Sequence, residues 1–191
     1  MTFDEDYFFG AATGNLIPGG YSNYSTTSYA LETAPGRASR IIAEAGVSGI
    51  DLIGGSVLVI GCAFGILMDA LIKEGVNAYG IDISNYAIRK SLLGANIIFG
   101  NATDPISYIL VKQMAGVESF DLIVDENMIC CLTDEEAVSA FSIARQHTSL
   151  VMHLVQDNPS LAEWYNFHTP AEWKILLGND RWFKLNSWEE S

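Results

Sequence analysis

With 191 residues, 49% of them apolar and 17% charged, the chain has the make-up of one compact domain with a full core, which excludes a disordered or fibrous protein. Its formal charge of −13 sets a surface that repels phosphate backbones and argues against nucleic acid as a partner; the longest apolar stretch, Ser56 to Met68, is broken by two glycines and makes no membrane span. Three cysteines, two of them adjacent and none in Cys-x-x-Cys spacing, form neither a disulfide framework nor a zinc site.

The acidic start, Phe3-Asp4-Glu5-Asp6-Tyr7, lacks the basic residues and long apolar run of a signal peptide, so a cytoplasmic protein is expected. Residues 10–35 are rich in Gly, Ser, Thr and Tyr. Gly19-Gly20 offers a hinge and Tyr21, Tyr24 and Tyr29 offer rigid amphipathic surface, so the segment Gly19 to Tyr29, within an N-terminal stretch 1–35, is expected to act as a lid. A 3.6-residue apolar pattern begins only near Arg37 and runs to Ala45, which places the first helix there.

Beyond that point short β-rich runs alternate with helical patterns. Strands are predicted at Val57–Ile60, Ala78–Ile83, Ile97–Gly100, Phe120–Asp125 and Leu150–Val155, with a sixth at Arg181–Trp188. This is the alternation of an α/β fold: a Rossmann-like, doubly wound, mostly parallel sheet with helices on both faces, forming a single domain over 1–191. No seventh strand follows. Either the sheet is shortened at its C-terminal edge, or that edge pairs with a second copy in a homodimer. Helix starts have their own signals: Ser84 as a cap, Thr133 with Glu136 as a capping box, and Thr169-Pro170-Ala171-Glu172, whose helix stops at Gly178.

The chemistry concentrates between Val57 and Ile88. Gly61 and Gly65 bracket a tight turn after the first strand, where a Cβ would hold the backbone away from a ligand. Asp82, 17 residues beyond Gly65, closes the second strand, where a carboxylate can accept hydrogen bonds from both hydroxyls of a ribose. The dinucleotide fingerprint Gly-x-Gly-x-x-Gly is not met, because Ala63 and Ile66 stand where its second and third glycines belong.

In these residues the chain resembles the class I S-adenosylmethionine-dependent methyltransferases, particularly a small subgroup. That subgroup's first motif reads Gly-Cys-Ala-aromatic-Gly, and its second reads Gly-(Ile/Val)-Asp-(Ile/Val)-Ser followed by Tyr-Ala; here they are Gly61 to Gly65 and Gly80 to Ile88. Gly100-Asn101-Ala102-Thr103-Asp104 is similar to the family's segment beside the adenine, Phe120 to Val124 to its fourth strand, and Leu132 to Glu136 to the helix start after it. The resemblance covers about Gly54 to Val155. It implies transfer of a methyl group from S-adenosylmethionine, with S-adenosylhomocysteine as product, to an oxygen or nitrogen of a small-molecule acceptor. No metal is expected, since no His, Asp and Glu cluster has ligand spacing.

The residues implied to hold the cofactor are Gly61, Cys62, Ala63 and Gly65 in the first turn, Asp82 and Ile83, Asn101 and Ala102, and Asp125, with Tyr21 and Tyr24 from the lid. Asp125 and Glu126, at the carboxyl end of the fourth strand, and His168, just before a capped helix, are the candidate catalytic groups. The chain departs from the family pattern at three places: Val59 replaces an acid of the first strand, Cys130-Cys131 replaces a Glu-His pair, and Asn101 replaces an acid beside the adenine. Asp125-Glu126-Asn127-Met128 also stands where base-modifying relatives carry Asn/Asp-Pro-Pro-Tyr. These departures keep a second reading open, a catalytically silent cofactor-binding or regulatory subunit. A third, a nicotinamide-dependent oxidoreductase, is opposed by Ala63 and Ile66.

Overall fold

The computed structural model describes residues 3–15, 24, 28–91, 93–155, 165–178 and 180–184. Two helices precede the sheet, α1 (Glu5–Thr13) and α2 (Ser28–Val47). Then follow β1 (Ser56–Ile60), α3 (Ile66–Lys73), β2 (Asn77–Asp82), α4 (Asn85–Lys90), β3 (Ile97–Phe99), α5 (Pro105–Ala115), β4 (Leu122–Glu126), α6 (Asp134–Ala144), β5 (Val151–Val155), α7 (Pro170–Leu177) and β6 (Arg181–Lys184). The strands form one sheet in the order β3-β2-β1-β4-β5-β6, and every pairing is parallel. The chain reverses its direction of travel across the sheet between β1 and β4, and in open α/β sheets ligands bind at that switch point, outside the carboxyl ends of the strands.

Parallel strands must be covered on both sides, and the pleat sorts β1 accordingly. Val57 and Val59 point into the core formed with α2 and α3, while Leu58 and Ile60 point into the core formed with α5, α6 and α7. On α2 the buried residues Ala34, Ala38, Ile41 and Ala45 follow helical spacing and lie on the first of these faces. The capping boxes at Thr133 and Thr169 both close reciprocally with Glu136 and Glu172. At the far edge β6 pairs directly with β5, Met152 opposite Arg181 and Val155 opposite Lys184, and no seventh strand occurs among the described residues. The end of the expected sixth strand, 185–188, lies outside them.

The N-terminal region differs from the expectation of a lid segment followed by a first helix near Arg37. Residues 5–13 are helical, started by Asp4, whose carboxylate accepts the backbone N–H of Tyr7 at 3.4 Å. Helix α2 begins at Ser28 rather than near Arg37 and carries Pro35 inside it. The Pro35-Gly36 pair reads locally as a break, and tertiary packing of Ala34 and Ala38 overrides it. Of the expected lid, Tyr21 lies outside the described residues, and Tyr29 belongs to α2.

Candidate functional site

The turn after β1 is built around three left-handed residues, Gly61 (φ 68°), Ala63 (φ 48°) and Gly65 (φ 76°). It is pinned to the neighbouring strand: the N–H of Gly61 donates to the Ile81 carbonyl at 2.8 Å, and the N–H of Gly65 closes on the Cys62 carbonyl at 2.8 Å. A Cβ at Gly61 would strike the side chain of Met128, so both the conformation and the space demand glycine there. Gly80 serves the same turn from below. A Cβ on it would lie 2.5 Å from the Cys62 sulfur and 2.8 Å from that of Met68, so the glycine of β2 makes room for the buried cysteine. Gly80→Ala is therefore expected to cost about 1–3 kcal/mol by overpacking, and Cys62→Ala in the same chain to recover part of it. Urea denaturation of the single and double variants checks this, and equal losses in both would contradict it.

Asp82 sits at the end of β2, only 8% exposed, and ties this turn to the next. Its Oδ2 accepts the N–H of Ala63 and its Oδ1 the N–H of Ser84, both at 2.7 Å. Burial pushes its carboxyl above the ordinary aspartate value, and these two N–H groups pull the other way. A carboxylate has about four acceptor positions, so two remain for a ligand.

A cavity opens over this carboxylate. Its floor is Ile60, Gly61, Ala63, Ile81, Asp82 and Ile83; Gly100, Asn101 and Ala102 form one side, and Glu126, Asn127, Met128, Cys131, Leu132 and Glu136 the other. Phe3, Tyr7, Phe8 and Tyr24 cover it from the N-terminal region. These rings interlock: Tyr24 stands edge-on to Phe64 with centroids 5.2 Å apart, and Phe8 tilts against the same ring at 4.8 Å. Burial and the charge of Glu126 raise the Tyr24 hydroxyl above the ordinary tyrosine value, which keeps it neutral. So the cover includes α1 as well as Tyr24.

Several expected residues meet at this cavity: Gly61, Ala63, Asp82, Ile83, Asn101, Ala102, Tyr24 and Glu126. Asn101 lines it with its side-chain oxygen already accepting the N–H and hydroxyl of Thr103, both at 3.0 Å. Cys62 and Gly65 shape the turn from beneath without lining the cavity, and burial raises the Cys62 thiol well above its ordinary value.

Two candidate catalytic groups turn elsewhere. Asp125 is fully buried; its Oδ1 accepts the N–H groups of Met128 (2.8 Å) and Ile129 (3.2 Å), and its Oδ2 lies 3.1 Å from His153 Nδ1. His168 pairs with Asp134 at 2.9 Å and packs edge-on against Trp173, outside the cavity lining. The strand pleat explains Asp125: adjacent residues of β4 face opposite sides, so only Glu126 of the pair reaches the ligand edge.

The contact that the sequence did not suggest is Arg37. It is 4% exposed on α2 and forms an ion pair with Glu126, which lines the cavity, while Arg37 itself is not among the lining residues. Burial raises the Glu126 carboxyl, and Arg37 opposes that shift. A signal was present, since Arg37 lies three residues after Ala34 and four before Ile41, on the apolar face of the helix.

No protein-family model matches the chain, and no curated protein sequence matches it. Solved structures do. Magnesium protoporphyrin IX methyltransferase from Synechocystis, with bound S-adenosylmethionine, superposes with a TM-score of 0.58 at 15% identity, covering 90% of this chain and 80% of that one. The plantazolicin methyltransferase BpumL, in complex with S-adenosylhomocysteine, gives 0.58 at 18% identity over 80% of this chain and 66% of that one. The fold is the class I methyltransferase fold. A sugar N-methyltransferase from Streptoalloteichus gives 0.50 at 15% identity over 70% of this chain, which spans about half (51%) of that neighbour.

Proposed function

We propose that this chain transfers a methyl group from S-adenosylmethionine to an oxygen or nitrogen of a small-molecule acceptor. The observation that carries the reading is Asp82, a buried carboxylate at the carboxyl end of β2, next to the strand that borders the switch point, with one N–H on each oxygen and acceptor capacity left toward the cavity. The residues fit the cofactor part by part. Asp82 takes the ribose hydroxyls, Asn101 and Ala102 border the adenine, and Glu126, held by its ion pair with Arg37, offers an anion to the ammonium group of the methionine part. When bound, S-adenosylmethionine supplies an already activated methyl group on a sulfonium.

The chain's own task is then to position the acceptor and exclude water. Phe3, Tyr7, Phe8 and Tyr24 close the cavity with apolar ring surface, and Met128 and Leu132 do so from the opposite wall. Neutral tyrosine faces also tolerate a sulfonium through cation–π attraction. A metal is not called for, because transfer discharges the sulfonium rather than building negative charge.

The competing reading is a chain that keeps the cofactor pocket without transfer. The placement of Asp125, fully buried against His153, and of His168, outside the cavity lining, favours it, since neither reaches an acceptor in the cavity as a base. Calorimetry with S-adenosylhomocysteine and with NAD tests the pocket: binding of the first alone is expected, and preference for the dinucleotide would overturn the reading. Radiolabelled methyl transfer into a small-molecule extract then separates enzyme from silent subunit, label in the extract being the expected result.

A further inference from the structure

We propose that the acceptor is a small amine, methylated on its nitrogen, and that Glu136 is the residue that selects it. The inference rests on the methyl-transfer reading and names its substrate class. The carboxylates that line the cavity are Asp82, Glu126 and Glu136, and no Lys, Arg or His is among the lining residues. Two of these acids are already committed. Asp82 accepts the N–H groups of Ala63 and Ser84 and is assigned to the ribose; Glu126 is paired with Arg37 and is assigned to the ammonium group of the cofactor. Glu136 differs. Its Oε2 accepts the N–H of Thr133 at 2.9 Å, which closes the capping box of α6, and no cation is paired with it among the described residues. Its charge is therefore left for the acceptor.

The cover of the cavity has matching chemistry. Phe3, Tyr7, Phe8 and Tyr24 line the same space, and aromatic rings together with a carboxylate attract a cation while disfavouring a carboxylate or phosphate group. The net charge of −13 acts in the same sense at longer range, since it concentrates cationic acceptors near the chain and depletes anionic ones.

The chemistry of the step separates nitrogen from oxygen. A hydroxyl acceptor loses a proton as it is attacked and so calls for a base within reach, yet neither Asp125 nor His168 lines the cavity. An amine brings its own lone pair. Bound as the free base, its nitrogen attacks the methyl carbon; the N–C bond forms as the S–C bond breaks, the S–C electron pair stays on sulfur, and the positive charge passes from the sulfonium to the new alkylammonium. No proton has to leave in that step. A carboxylate on the acceptor side stabilises the charge where it arrives, which favours the transition state over the ground state.

The test uses the full chain, S-adenosylmethionine with an isotopically labelled methyl group, and a small-molecule extract as the source of acceptor. NMR of the labelled methyl tells N–CH3 from O–CH3, and retention on a cation exchanger reads the charge of the product. The expected result is an N-methyl signal on a cationic product. Label on oxygen, or on a neutral or anionic product, would overturn the amine assignment while leaving methyl transfer standing. No label at all, with S-adenosylhomocysteine still bound, would remove the methyl-transfer reading and this inference with it. Glu136→Gln then tests the selecting residue. Glutamine keeps the capping box, so the denaturation midpoint and the S-adenosylhomocysteine affinity should match the wild type. The initial rate on dilute extract should fall about fivefold at low ionic strength, and the gap should narrow in salt, because Glu136 is exposed and its charge is screened. An unchanged rate at low salt, or an equal loss of cofactor affinity, would overturn the role given to Glu136.

Discussion

Asp82→Ala is expected to bind S-adenosylhomocysteine about a hundredfold more weakly than the wild type, or worse, because hydrogen bonds to a charged acceptor are worth about 1.5–3 kcal/mol each. The conservative change should do no better. Each oxygen of Asp82 already accepts a backbone N–H, from Ala63 and from Ser84, so the amide NH2 of Asp82→Asn must face one of these donors. A ribose acceptor with no other duty would be partly rescued by asparagine. This one should not be, and calorimetry on both variants decides it. Full affinity in a folded Asp82→Ala chain would remove the site assignment.

The pH dependence of Asp82 gives a second signature. Its folded-state pKa lies above its ordinary value, so its contribution to stability is present at low pH and is lost as pH rises through the raised value. Its use as an acceptor runs the other way, since the ionised form takes the hydroxyls. Cofactor affinity should therefore fall on acidification, starting above the usual aspartate range, while this group's contribution to fold stability rises. Calorimetry and denaturation across the same pH series measure both. Parallel trends would contradict the assignment.

His153→Ala is expected to be the most destabilising single change, by about 3–5 kcal/mol, the cost of leaving buried charge unpaired. His153 is fully buried on β5, with Nδ1 at 3.1 Å from Asp125 and Nε2 at 3.1 Å from Asp180. Two ionised carboxylates on one ring are both satisfied only when both nitrogens donate, as in the imidazolium. Arg145 completes the chain by donating to Asp180, and the ring stacks on Trp182 with centroids 3.9 Å apart. Burial alone would lower the His153 pKa, but the hydrogen bonds and charges of Asp125 and Asp180 outweigh it and raise the value.

A raised histidine stabilises the fold below its unfolded pKa of about 6.5, and that contribution is lost as pH climbs through the raised folded value. Asp180 is lowered by His153 and Arg145 against the cost of burial, so its contribution is lost only as pH falls below the usual carboxylate range. The network should thus hold from mildly acidic pH up to the raised value of His153 and weaken in alkali. Melting temperatures of wild type and His153→Ala should converge at high pH; a constant gap would show that His153 matters through packing alone. Because Asp125 also accepts the N–H groups of the turn at 128–129, the variant should lose cofactor affinity together with stability.

Much of this site was readable from residue order, and the rest was not for identifiable reasons. The strand–turn–strand unit from Val57 to Asp82 is local: glycine conformations, alternating burial and a strand-end acid are encoded within about thirty residues, the scale of a βαβ unit. The caps at Thr133 and Thr169 are equally local, each complete within four residues. Position at a strand end did not tell Asp125 from Glu126, because which neighbour faces the ligand edge depends on the phase of the pleat in the assembled sheet. Arg37 and Glu126 lie 89 positions apart, and Asp180 is 27 from His153; such pairs exist only once α2 packs on the sheet and β6 docks beside β5. The helical course of α2 through Pro35 was likewise decided by burial of its face, against the local preference of a Pro-Gly pair. Short-range backbone geometry is thus written in the sequence, whereas the partners of buried charges are chosen by tertiary packing, since only the desolvated interior makes an unpaired charge costly enough to select its neighbour.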